Sequence, residues 1–124
     1  MRILIVDDDE ALINIFTNVF NKNGLDTITA ITGKSGIDKA KSEKIDLIIL
    51  DQILPDMPGG EVLKALKADP ATKNIPVIAL SNFSQQELVK EALNNGAKDY
   101  VFKYQVDPLD LVNKIKTVLK QPND

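Results

Sequence analysis

Three consecutive aspartates, Asp7, Asp8 and Asp9, follow the first apolar run, Met-Arg-Ile-Leu-Ile-Val. A second run, Asp46-Leu-Ile-Ile-Leu, ends in Asp51. A third, Ile75-Pro-Val-Ile-Ala-Leu, ends in Ser81, and a fourth, Asp99-Tyr-Val-Phe, ends in Lys103. Each run is short, β-branched and bounded by polar residues, the pattern of a strand buried in a parallel sheet. The carboxyl ends of such strands share one edge, and ligands bind there. Carboxylates, a hydroxyl and an ammonium are therefore predicted to converge on a site fit for a divalent cation and a phosphoryl group. Neighbouring carboxylates repel, so gathering them costs stability unless a cation binds. A helix cap accounts for Asp9 but not for three acids in a row. Asp8 and Asp51, at two strand ends, are expected to be neighbours, and a carboxylate such as Asp51 can act as a nucleophile and form an aspartyl phosphate. Taken singly, Lys103 reads as a solvated lysine, Ser81 as a turn residue and Tyr100 as half-buried packing. The ordered set Asp, Asp, Ser, Lys on four strand ends is the joint signal.

Bulk properties narrow the chemistry. The 124 residues fit one domain over 1–124, with 44% apolar and 27% charged residues. A net charge of −3 and a pI near 4.9 argue against a direct nucleic-acid surface, which is basic. No apolar stretch approaches the roughly 20 residues that span a bilayer. The first apolar run meets acids after Val6, unlike a signal peptide. There is no Cys, so no disulfide or thiol chemistry, which fits a reducing cytoplasm. With no His, imidazole catalysis is excluded, and any metal must be hard and oxygen-ligated.

The elements that position these residues alternate. Strands are predicted at Ile3 to Val6, Asp26 to Ile31 (nearer an edge), Leu47 to Leu50, Val77 to Leu80 and Tyr100 to Phe102. The first helix repeats Leu12, Ile15, Phe16, Val19 and Phe20 on one face and stops at Asn23-Gly24. A weak helix covers Ser35 to Ser42, and a loop marked by Pro55, Pro58, Gly59 and Gly60 precedes a helix over Glu61 to Ala68. Ser84 and Glu87 have capping-box spacing before a helix that turns Leu88, Val89, Ala92 and Leu93 inward. Asp107-Pro108 opens the last helix, and Gln121 to Asp124 are expected to fray. Five βα units with right-handed crossovers predict an α/β, doubly wound, flavodoxin-like sheet of five parallel strands in the order 2-1-3-4-5.

These motifs resemble the receiver domains of two-component response regulators, over essentially the whole chain. Val6-Asp7-Asp8 is similar to the family's acid pair, Leu50-Asp51 to its phosphoacceptor, and Leu54-Pro55 with Pro58-Gly59 to the loop after it. Leu80-Ser81 resembles the switch hydroxyl, and Tyr100-Val101-Phe102-Lys103 the switch aromatic and the lysine. The resemblance implies that Asp51 takes a phosphoryl group from a histidine kinase or histidine phosphotransfer domain. It implies Mg2+ or Mn2+ bound by Asp8, Asp51 and the Ile53 backbone carbonyl, with Asp7 acting through water. Lys103 and Ser81 would hold the phosphate. Movement of Ser81 and Tyr100 would remodel the face of the fourth helix, fifth strand and fifth helix for a downstream protein target. It implies a cytoplasmic switch without direct nucleic-acid or membrane binding, and no enzyme activity beyond self-catalysed phosphorylation and dephosphorylation.

Two positions depart from the family pattern. Tyr104 stands where proline usually follows the lysine. A trans peptide is expected there, because a non-proline cis bond costs about 2.5–4 kcal/mol. Asn82 replaces a small residue and narrows the approach to the phosphate. Other functions compete: a phosphorylation-independent interaction module with the same fold, a haloacid-dehalogenase-type phosphotransferase and a flavodoxin. The dehalogenase type needs an acid where Ile53 stands, and the flavodoxin needs a Ser/Thr/Gly-rich phosphate loop after the first strand.

Overall fold

The computed structural model describes residues 1–82 and 86–120. Ser84 of the predicted capping box and the segment 121–124 lie outside the described residues. The strands are β1 (Arg2–Val6), β2 (Asp26–Ala30), β3 (Leu47–Asp51), β4 (Val77–Ser81) and β5 (Asp99–Phe102). The helices between and after them are α1 (Glu10–Lys22), α2 (Gly33–Ser42), α3 (Gly59–Ala68), α4 (Gln86–Asn94) and α5 (Pro108–Leu119). All strand pairs are parallel, and the order is β2-β1-β3-β4-β5, as the sequence predicts.

Burial follows the sequence pattern. Every residue of β3 and β4 is buried, whereas the edge strands β2 and β5 are buried only in part. Alternation along the strands feeds two cores. Ile3, Ile5, Leu47, Ile49, Ile78 and Leu80 point to one side, where Phe16 and Phe20 of α1 stack with centroids 5.7 Å apart and α5 adds Leu111, Val112 and Ile115. Leu4, Val6, Ile48, Leu50 and Ala79 point to the other side, under α2, α3 and α4. Burying a side chain of the Leu, Ile or Phe kind contributes about 1.5–3 kcal/mol, so these layers hold the strand ends in register.

Several expectations shift. Ile15 and Leu93, assigned to inward faces, are exposed. The buried stripe of α1 runs through Leu12, Ile13, Phe16 and Phe20, and Ile15 falls beside it; α4 buries Val89 and Ala92. α2 begins two residues before Ser35, because the Thr32 hydroxyl accepts the Ser35 N–H and caps the helix there. α3 begins at Gly59, within the segment read as a loop. Among the described residues no helix is long and apolar enough to cross a membrane.

Candidate acidic site

Register brings the site residues together. Val6 stands against Leu50, so Asp7 and Asp51, each one residue further on, meet at the same edge. Asp51 pairs with Leu80 and Ser81 with Phe102, which places Ser81 and Lys103 on the adjoining strand ends. The Lys103 N–H donates to the Ser81 carbonyl at 2.7 Å, and the Gln52 N–H to the Leu80 carbonyl at 3.1 Å. The site is thus built from backbone that the two cores fix.

Lys103 is the hub. Its Nζ lies 2.9 Å from Asp7 Oδ2 and 3.0 Å from Asp51 Oδ2, and it donates to Asp7 Oδ1 at 3.1 Å. Asp7 is fully buried and also accepts the Asp9 N–H through Oδ1 at 2.9 Å. Asp51 is buried too, and the Ile53 N–H reaches its Oδ1 at 3.4 Å. Asp8 is exposed at the mouth, yet carboxylate oxygens of Asp7, Asp8 and Asp51 all lie within 4.8 Å of one another. Three hard oxygen donors so placed fit a magnesium-like cation, which takes one or two carboxylates and keeps several waters. Ser81 is fully buried, and its hydroxyl donates to the Asn82 carbonyl at 3.0 Å. Tyr100 lies further out on β5, its ring edge-on to Phe102 at 5.3 Å.

The electrostatics follow from one ammonium serving two buried acids. Burial, and then the charge of Asp7, push the Asp51 carboxyl up to about 6, against the hydrogen bond and charge of Lys103. Burial alone lowers the Lys103 ammonium, but hydrogen bonds to Asp7 and Asp51 outweigh it and raise the group above its usual range. A divalent cation at the three carboxylates would supply the missing positive charge.

The structure also shows what sequence reasoning missed. Gly59 tolerates no side chain: a Cβ there would lie 2.4 Å from the Asp51 carbonyl oxygen. Its N–H donates to the Gln52 carbonyl at 2.9 Å, closing the loop after Asp51. Gln52 is buried, and its amide donates to the Leu50 carbonyl at 2.8 Å. The repeated glycine after two prolines carries a turn signal but no sign of this close approach. Asp9 caps α1 as predicted, accepting the Leu12 N–H at 3.2 Å. Its second oxygen accepts the Tyr104 hydroxyl, a contact that sequence spacing does not reveal. That bond, and then the Leu12 N–H, lower the Asp9 carboxyl, while Asp9 raises the Tyr104 phenol. The peptides are trans among the described residues, and Tyr104 takes a left-handed φ of 61° where the family places proline.

A family model described as the response regulator receiver domain matches residues 3–116. The chain belongs to this family. It is 33% identical over 123 residues to the DNA-binding response regulator MtrA of Mycolicibacterium smegmatis, covering 99% of this chain and 52% of that protein. It is 32% identical to the transcriptional regulatory protein PhoP of Bacillus subtilis, covering 97% and 49%. The chain therefore spans about half the length of the curated relatives it matches. Among solved structures, a CheY-like receiver domain protein from Methanospirillum hungatei superposes with a TM-score of 0.85 at 36% identity, covering 95% of this chain and 92% of that one. A protein from Chloroflexus aurantiacus described as a response regulator gives a TM-score of 0.90 at 27% identity, covering 97% and 98%.

Proposed function

We propose that this receiver domain is a magnesium-dependent phosphoacceptor switch, with Asp51 as the acceptor. The observation that carries the reading is the ion-paired trio. Asp51 is held 3.0 Å from Lys103, with Asp7 on the same ammonium and Asp8 within ligand distance. The Asp51 carboxylate attacks the phosphorus of a phosphohistidine on a histidine kinase or phosphotransfer domain. A P–O bond forms, the P–N bond breaks, and its electron pair leaves on the imidazole. Asp8, Asp51 and the Ile53 carbonyl are the direct ligands in this reading, and Asp7 acts through water. Magnesium or manganese, when bound, neutralises charge on the transferred phosphoryl oxygens.

Lys103 stays by the acceptor and binds the phosphoryl group. The Ser81 hydroxyl turns from the Asn82 carbonyl to donate to it. Tyr100 moves with Ser81 and alters the α4–β5–α5 face, where a downstream protein docks. Little covalent work falls to the protein beyond positioning and charge neutralisation. The names of MtrA and PhoP mark them as regulators of DNA-linked output. The match of this chain to about half of each supports a receiver role here, and its net charge of −3 favours a protein over nucleic acid as the direct partner.

The test is intact-mass analysis with acetyl phosphate. One added phosphoryl group is expected in magnesium, with none in chelator and none in Asp51→Asn. Unchanged labelling of Asp51→Asn contradicts the acceptor assignment. Failure of the parent to label or to bind magnesium favours a phosphorylation-independent interaction module.

A further inference from the structure

The loop after Asp51 is fastened to a helix that the phosphoacceptor chemistry does not otherwise involve. Asp56 sets both carboxylate oxygens on the first turn of α2. The Gly33 N–H donates to Oδ1 at 2.7 Å and the Lys34 N–H to Oδ2 at 2.9 Å. These hydrogen bonds, Lys34's first and then Gly33's, hold the Asp56 carboxyl below the usual carboxylate range. Beside it, Met57 closes directly on the helix backbone: a Cβ on Gly33 would lie 2.6 Å from Met57 Cγ. α2 already has a local cap in Thr32, so a carboxylate from more than twenty residues away fastens two segments rather than starting the helix. At its base the same loop is closed by the Gly59–Gln52 hydrogen bond and the Ile53–Pro58 bridge. The segment carrying Ile53 is therefore held at both ends.

We infer that Asp56 is a positioning residue for the acidic site: by clamping the loop to α2 it holds the Ile53 carbonyl where a divalent cation binds, and it couples the first turn of α2 to that site. The inference rests on the reading of Ile53 as a ligand. Coupling is reciprocal, so a clamp that favours the cation must itself be tightened by the cation. A simple helix cap contributes to stability without changing metal affinity, and that separates the two roles.

Magnesium alone is titrated into the full chain and followed by amide NMR, for the parent, Asp56→Ala and Asp56→Asn. Asp56→Ala is expected to weaken magnesium binding roughly tenfold, the size seen when partners that orient a ligand are removed. Asp56→Asn, which keeps one acceptor oxygen, is expected to lose less. Labelling by acetyl phosphate in Asp56→Ala is slow at limiting magnesium and returns to the parental rate at saturation. In the parent, magnesium slows hydrogen exchange of the Gly33 and Lys34 amides; in Asp56→Ala it does not. An Asp56→Ala affinity within twofold of the parent, or parental Gly33 and Lys34 exchange that ignores bound magnesium, overturns the inference. A parent that binds no magnesium overturns the metal reading and this inference with it.

Discussion

The central strands and the edge strand β5 contribute to the site in opposite ways. β1 and β3 deliver Asp7 and Asp51 from positions buried on both faces of the sheet, and β4 delivers a fully buried Ser81. β5 is only partly buried, yet it delivers the ammonium, and its Tyr100 faces partly outward. Two buried acids sit in the middle, and the ammonium that pairs with both arrives from the edge. In the proposed cycle the acceptor Asp51 belongs to the centre, while Tyr100 on the edge carries the readout.

The largest break in this contrast is removal of the edge cation. Lys103→Ala leaves Asp7 and Asp51 buried without their partner, a loss expected to cost about 3–5 kcal/mol. Chemical denaturation in chelator measures it, and magnesium restores part of it. A cost below about 1 kcal/mol would mean that the centre does not depend on the edge.

Titration of Asp51 comes next. Its carboxyl is raised from 3.8 to about 6 in the fold. Between these values the native state holds the proton and the unfolded chain does not, so stability in chelator falls as pH rises through this window. Above about 6 the full penalty is present, and each tenfold change in proton affinity corresponds to roughly 1.4 kcal/mol. Asp51→Asn is expected to flatten that slope between pH 4 and 6. An unchanged slope would move the strain elsewhere.

A smaller effect separates Asp8 from its buried neighbours. Binding to the native state alone stabilises the parent by about 2.7 kcal/mol when magnesium is at 100 times its Kd. Asp8→Asn is expected to melt higher than the parent in chelator, because one repelling charge is gone, and to respond much less to magnesium. A mutant that keeps the full response would remove Asp8 from the site. The smallest change is Tyr100→Phe, which is expected to leave labelling at Asp51 intact while altering affinity for a partner. A labelling loss comparable to that of Asp51→Asn would place Tyr100 in the chemistry and dissolve the division between centre and edge.

The centre is legible in the sequence, and its supports are not. Continuous apolar runs ending in Asp7, Asp51 and Ser81 read as strands buried on both faces, and such strands share one edge. The ammonium of Lys103 is legible for the same reason. The clamp by Asp56 is not, because a capping carboxylate more than twenty residues away leaves no periodic trace. Gly59 reads as a turn, since a glycine required by a carbonyl 2.4 Å from where its Cβ would be looks the same in sequence as one required by a bend. Ile15 and Leu93 read as core because apolar character marks a helix face only to within one neighbouring position.

The proposed cycle turns on one carboxylate, Asp51, becoming an acyl phosphate. Borohydride reduces an acyl phosphate to an alcohol, so a phosphorylated aspartate is trapped as homoserine and found by peptide mass mapping. Homoserine is expected at position 51 alone, formed only after treatment with acetyl phosphate in magnesium. Homoserine at position 7, 8 or 9, or a labelled protein with none at 51, would contradict it.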